Sequence, residues 1–151
     1  MLDKVLVVEP SNRAALAARL EIALTAQDLE TASRLAAEVA SGFPEDPRLV
    51  HKAAIAWRRA GNSEAAAAML RQCLSVHECA TALKVELGRC LLLQGAHDEA
   101  SMIFDAILQQ SPDNAGARLG LADAHDAAGK SALALKILEE GLFRPESARH
   151  E

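Results

Sequence analysis

Residues Leu87–Pro112 read LGRCLLLQGAHDEASMIFDAILQQSP and give the strongest indication of the fold. Gly95 lies near its middle, where a glycine can end one helix and reverse the chain at positive φ without steric cost. Pro112 closes the stretch, and a proline cannot continue a helix that reaches it. The stretch therefore predicts one unit made of a helix, a tight turn, a second helix and a stop.

The same features return every 34 residues along the chain. Gly95 has equivalents at Gly61 and Gly129, and Gln27 occupies the corresponding position nearer the start. Three of only eight glycines in one column indicate a true internal repeat. Five residues after each turn a small residue lets two helices approach closely, and this column reads Ala32, Ala66, Ala100 and Ala134. Two more columns read Pro10, Pro44, Glu78, Pro112 and Glu146, and Leu2, Ala36, Leu70, Phe104 and Leu138.

The repeat predicts four helix pairs, with each helix about 13 residues long. We expect Ser11, Asn62 and Asp113 to cap helix starts, because short polar side chains accept hydrogen bonds from free backbone N–H groups there. The predicted helices span 13–26, 29–41, 47–60, 63–77, 81–94, 97–110, 115–128 and 131–143.

Composition supports an all-α protein. The 151 residues include 32 alanines and 22 leucines but only three Phe, one Trp and no Tyr, which favours helix over sheet. A net charge of −5 disfavours binding to nucleic acid, which needs a surplus of basic residues. No apolar run approaches the roughly 20 residues that cross a bilayer. Three cysteines, without a common zinc spacing or an apparent signal peptide, predict a cytoplasmic location.

In combination, these residues resemble the tetratricopeptide repeat (TPR) family. The stretch quoted above carries the motif residues of that family, which are Leu87, Gly88, Gly95, Ala100, Phe104, Ile107, Leu108 and Pro112. The first repeat departs from the pattern with Arg19-Leu20 in place of the Leu-Gly pair and with Gln27 in place of the turn glycine. His125 and Leu91 stand in a column that is often aromatic.

The resemblance implies an all-α, right-handed superhelical solenoid of antiparallel helix pairs in a single domain, 1–151. Its parts are a partial repeat over 1–12 and repeats over approximately 13–46, 47–80, 81–114 and 115–148. Leu2–Pro10 match the second half of a second helix, so we expect a segment of a longer TPR protein or self-association through uncapped repeat ends.

In such a stack the first helix of each pair lines a concave groove, and the groove residues are the candidate binding site. The middle of the groove is basic and partly apolar, which favours a peptide or protein partner with acidic and aliphatic side chains. The alternative is that these charges are simply solvated helix surface. The predicted partner-binding residues are Glu21, Arg48, His51, Lys52, Ile55, Arg58, Val85, Arg89, Leu92, Leu119 and Asp123.

Other site chemistries fit the sequence less well. The clamp that TPR domains use to hold chaperone carboxyl termini is absent, because its positions here hold Ala17, Glu21, Lys52, Ala82 and Glu86. Cys73, His77, Cys79 and Cys90 could in principle bind a metal, but Cys73 and Cys90 fit helix-packing positions. His97 and His125 also occupy packing columns.

The sequence therefore predicts a non-catalytic scaffold or adaptor, with no cofactor, no metal and no membrane insertion of its own. The alternative function is a partner-recruiting or regulatory arm of a longer enzyme, or of an envelope assembly or secretion protein.

Overall fold

The computed structural model describes residues 12–142, in which eight α-helices alternate with short turns and no strand occurs. The predicted partial repeat at Leu2–Pro10, the predicted cap Ser11, and Phe143 and Glu146 lie outside the described residues. The helices are α1 (Arg13–Thr25), α2 (Leu29–Gly42), α3 (Pro47–Arg59), α4 (Ser63–Leu74), α5 (Thr81–Leu93), α6 (His97–Gln110), α7 (Ala115–Ala127) and α8 (Ser131–Leu142).

The observed helix bounds agree with the prediction to within one residue except at the end of α4. That helix stops at Leu74, three residues before the predicted end. The hydroxyl of Ser75 donates to the carbonyl of Gln72 at 2.6 Å, and a serine that bonds the local backbone in this way competes with continuation of the helix.

The helix caps were predicted only in part. Asn114, not Asp113, caps α7, with its side chain accepting from the Ala117 N–H at 2.9 Å. Asn62 occupies the cap position of α4 but makes no capping hydrogen bond through its side chain. Side chains of Asn12, Asp28 and Asp46 cap α1, α2 and α3. Hydrogen bonds from Thr31 lower the pKa of the capping carboxyl group of Asp28.

The turn column confirms the hairpin interpretation of the repeat. Gly61, Gly95 and Gly129 have φ values of 87°, 79° and 80°, and Gln27 has a φ of 56°. The first hairpin therefore turns in the same left-handed region as the others, although it lacks the glycine that this region favours.

This strain predicts that Gln27→Gly stabilises the protein. We expect the free energy of unfolding to rise by about 0.5–1 kcal/mol, because glycine removes the steric cost of positive φ but adds entropy to the unfolded chain. Urea unfolding followed by circular dichroism measures the change. The reciprocal variant Gly95→Gln is the control and should lower stability; a destabilised Gln27→Gly protein would contradict the prediction.

Contacts divide the chain into two units, Met1–Glu86 and Leu87–Glu151, with the boundary inside α5. In the first unit, successive helices from α1 to α4 pack against one another, and α3 also contacts α1. Helix α3 thus rests against both members of the first hairpin. The small-residue column works as predicted here, since Ala32 and Ala66 are completely buried.

In the second unit, α7 packs against both α6 and α8. The centre of this unit is the ring of Phe104, which is fully buried and faces Gly88 and Gly120. A Cβ atom added at either glycine would approach ring atom Cζ to 2.4 Å or 2.3 Å, respectively. The two glycines therefore provide the space that the ring occupies.

Candidate functional site

In the first unit the structure joins several predicted groove residues by ion pairs between first helices. The Nζ atom of Lys52 on α3 lies 3.1 Å from a carboxylate oxygen of Glu21 on α1. The guanidinium of Arg58, also on α3, donates to Glu86 on α5. Charged side chains of α3 therefore contact charged side chains of the two neighbouring first helices, α1 and α5.

The Arg58–Glu86 pair differs in kind from the Lys52–Glu21 pair. The Glu86 side chain is completely buried and that of Arg58 is mostly buried, whereas Glu21 is largely exposed. A buried carboxylate is tolerated only when it is paired and hydrogen-bonded. The repeat pattern gives no indication of this burial, since the repeat equivalent of Glu86 is Lys52, which is partly exposed.

The other predicted residues of the first unit lie on α3, except Val85, which lies on α5. Arg48 is exposed, while His51 and Ile55 are half-buried. Together with the paired residues they form what we call the first-helix face, defined as Glu21, Arg48, His51, Lys52, Ile55 and Arg58. Val85 is buried and offers little surface to a partner.

The predicted groove residues of the second unit are less alike. Arg89 and Leu92 on α5 are half-buried, whereas Leu119 and Asp123 on α7 are exposed.

Each unit also carries an open cleft beside a second helix. In the first unit a cleft of about 660 Å³ lies along α2 and the end of α3, and the half-buried Trp57 forms part of its wall. The indole N–H of Trp57 donates to the carbonyl of Ser33 at 3.2 Å. In the second unit a cleft of about 730 Å³ is lined by α6, α7 and α8, with His125 on its wall.

The cysteines occupy unlike environments. Cys73 and Cys90 are buried, as their packing positions predicted, and Cys79 is exposed. The ring Nε2 of His77 lies 2.9 Å from the carbonyl oxygen of Glu45. Across residues 12–142 no group of three or more His, Cys, Asp or Glu side chains is arranged to hold a metal ion.

These environments predict that only Cys79 reacts quickly in the native protein. Burial raises the pKa of the Cys73 thiol, because the thiolate loses its hydration, and thiolates are the reactive species. Ellman's reagent should therefore titrate one thiol in buffer and all three in denaturant. Cys79→Ser is the control and should abolish the fast native reaction; fast labelling of that variant would contradict the assigned burial.

Comparison with known proteins identifies the repeat. Models described as tetratricopeptide repeat match residues 51–115 and 91–145, so together they span most of the second, third and fourth helix pairs. The chain belongs to the tetratricopeptide repeat family. Members of this family typically act as scaffolds for protein–protein interaction. No curated protein matches the chain by sequence.

Solved structures show the same fold. A tetratricopeptide repeat protein from Parabacteroides merdae superposes with a TM-score of 0.85 at 19% identity, over 96% of this chain and 57% of its own. YrrB, described as a TPR protein with an unusual peptide-binding site, gives 0.74 at 20% identity over 93% and 73% of the two chains. PilW, described as a type IV pilus biogenesis factor, gives 0.78 at 17% identity over 98% and 70%.

These comparisons confirm the all-α, TPR-like solenoid class. This chain thus spans little more than half the length of the Parabacteroides protein. At such identities the likeness concerns the fold alone. None of the helices in residues 12–142 is long and apolar enough to cross a membrane.

Proposed function

We propose that this TPR protein is a scaffold that binds an acidic, partly aliphatic segment of a partner protein on the first-helix face. The observation that supports this is the contact of Lys52 on α3 with Glu21 on the neighbouring first helix α1. Arg48 and Ile55 lie one turn from Lys52 on the same side of α3. The partner segment would supply carboxylates to the cations and an aliphatic side chain to Ile55.

Lys52 is the cation best suited to exchange partners. Its pair with Glu21 is largely open to water, and such pairs contribute only about 0–1 kcal/mol. A ligand carboxylate can therefore replace Glu21 at small cost. Arg58 has a different role in this proposal: its guanidinium stays with the buried Glu86 and fixes α3 against α5.

The same face sets the expected dependence on salt. Exposed charges more than a Debye length apart, about 8 Å at physiological ionic strength, are largely screened. Binding that depends on Arg48 and Lys52 should weaken as salt is added, whereas contact with Ile55 should not. The pilus and peptide-binding roles in the names of the matched structures belong to those proteins, and the proposal does not depend on them.

Selection of random peptides on the immobilised 151-residue chain tests the proposal. We expect enriched peptides to combine Asp or Glu with aliphatic residues. Their affinity should fall about tenfold or more in an Arg48→Glu, Lys52→Glu variant, because attraction becomes repulsion at two positions. Titration of a fluorescent selected peptide gives the dissociation constants.

Arg34→Glu is the matched control, since Arg34 is an exposed cation of the same unit on the second helix α2. It changes net charge in the same direction but lies off the first-helix face. Equal loss of binding in this control would show a non-specific charge effect and overturn the proposal. Selected peptides without acidic residues would overturn it as well.

A further inference from the structure

Among residues 12–142, the helix nearest the end of the chain, α8, has an exposed apolar surface. Ala134 is the only residue of α8 that is buried, whereas the other second helices bury three to five residues each. Five leucines of α7 and α8 are exposed by 36% to 80%, and four of them form what we call the acceptor face: Leu119, Leu135, Leu138 and Leu142. A cleft of about 510 Å³ lies between the two helices at this face.

The repeat shows what kind of element normally covers such a surface. Leu138 is equivalent to Ala36, Leu70 and Phe104, and each of those is completely buried. In the first unit, α3 contacts both α1 and α2, so the next first helix rests against the hairpin before it. The acceptor face therefore corresponds to the surface on which, elsewhere in the chain, the first helix of the following repeat packs.

The first helix of the first unit carries the other half of this contact. Ile22 on α1 is 56% exposed, whereas its equivalents Ala56, Cys90 and Ala124 are at most 1% exposed. Ala18 and Arg19 lie one turn before Ile22 on the same side of α1. We call Ala18, Arg19 and Ile22 the donor face.

We infer that copies of this chain associate head to tail, with the donor face of one copy packed in the acceptor face of the next. Both halves of one kind of interface are present in a single chain, and the contact continues an interface that the repeats already use. The acceptor face of each copy binds the donor face of another copy. The contact is therefore heterologous, and the assembly can grow beyond a dimer.

Charge agrees with this pairing. Helix α1 contains two basic residues and one acidic residue, which are Arg13, Arg19 and Glu21. Helix α8 contains one basic residue and two acidic residues, which are Lys136, Glu139 and Glu140. The helices that would meet have opposite net charge, which favours their association over that of two α8 helices.

Sedimentation velocity of the 151-residue chain, from micromolar to near-millimolar concentration, tests the inference. The average mass of the wild type should rise with concentration. A donor variant, Ile22→Glu, and an acceptor variant, Leu135→Glu with Leu142→Glu, should each associate at least about tenfold more weakly, because a buried unpaired carboxylate is costly. Circular dichroism melting verifies that each variant is folded, and Ile22→Gln and Leu142→Gln replace any that is not.

Mixing the two variants gives the decisive measurement. The donor variant keeps an intact acceptor face and the acceptor variant keeps an intact donor face, so an equimolar mixture should form dimers and stop there. Met102→Glu is the matched control, since Met102 on α6 is 73% exposed and lies on neither face. It should associate as the wild type does.

Three results would overturn the inference. A wild-type chain that stays monomeric would assign the acceptor face to another protein or to a further repeat. A donor variant that self-associates like the wild type would show a two-fold contact through α8 instead. A mixture that stays monomeric while the wild type associates would show that the two faces do not meet.

Discussion

Replacing Arg58 with methionine is expected to lower the free energy of unfolding by about 3–5 kcal/mol. The substitution keeps much of the side-chain volume but removes the charge that pairs with Glu86. Because Glu86 is completely buried, its carboxylate would lose the positive charge of Arg58 without gaining water. Urea unfolding at neutral pH, followed by circular dichroism, measures the loss.

A double-mutant cycle separates loss of the pair from loss of packing. Arg58→Met combined with Glu86→Leu should recover most of the lost stability, since a buried pair can often be replaced by apolar side chains of similar volume. Lys52→Met is the matched control, because it breaks the exposed pair with Glu21 and should cost less than about 1 kcal/mol. If Arg58→Met costs no more than this control, Glu86 is hydrated and the pair is not a structural anchor.

The buried Arg58–Glu86 pair also limits which substitutions can test binding on the first-helix face. Charge reversal at Arg58 would place two carboxylates together in a buried position, so the variant would lose stability as well as any ligand contact. Loss of binding could then not be assigned to the face. Arg48 and Lys52 lack this complication because Arg48 is exposed and the partner of Lys52 is largely in water.

The hairpins could be predicted from sequence because their causes are local. A glycine column fixes the turns through backbone conformation, and even Gln27 adopts the same region at its place in the column. The prolines that follow α2 and α6 and the small residue after each turn also act within one repeat. The end of α4 was predicted less well, because the hydrogen bond from Ser75 to Gln72 leaves no signature in the 34-residue period.

The burial of Glu86 and its ion pair with Arg58, a residue of the first-helix face, could not be predicted in the same way. Glu86 occupies the repeat position held by Ala18, Lys52 and Gly120, so its column gives no indication of burial. Its environment depends on which side chain the neighbouring first helix brings to it, and Arg58 lies 28 residues away along the chain. Ion pairs between helices are tertiary contacts. The periodicity of the sequence indicates only the helix face on which each residue lies, so it does not predict them.

Residue sizes at matching positions of the repeats show a relation that predicts a second large effect. A first-helix residue and the second-helix residue 16 positions later have reciprocal sizes in each of the four pairs. The pairs are Leu20 with Ala36, Ala54 with Leu70, Gly88 with Phe104, and Ala122 with Leu138. Where the second helix carries its largest residue, the first helix carries no side chain at all.

Phe104→Ala is therefore expected to lower the free energy of unfolding by about 3–5 kcal/mol, because the glycines that face the ring cannot fill the cavity it leaves. Gly120→Ala should cost about 1–3 kcal/mol, since its added Cβ would lie 2.3 Å from ring atom Cζ in a core that leaves the ring no room to move. Thermal and urea unfolding measure both losses.

The shared cause of these two losses can be tested by combining substitutions. Gly120→Ala should be much less costly in a Phe104→Leu background, because leucine lacks the ring atoms that the new methyl group meets. Gly42→Ala is the matched control: a Cβ added at Gly42 on α2 meets no atom within 4 Å, so the variant should be close to neutral or slightly stabilised. If Gly120→Ala costs the same in both backgrounds, helix geometry and not the ring sets the requirement for glycine at position 120.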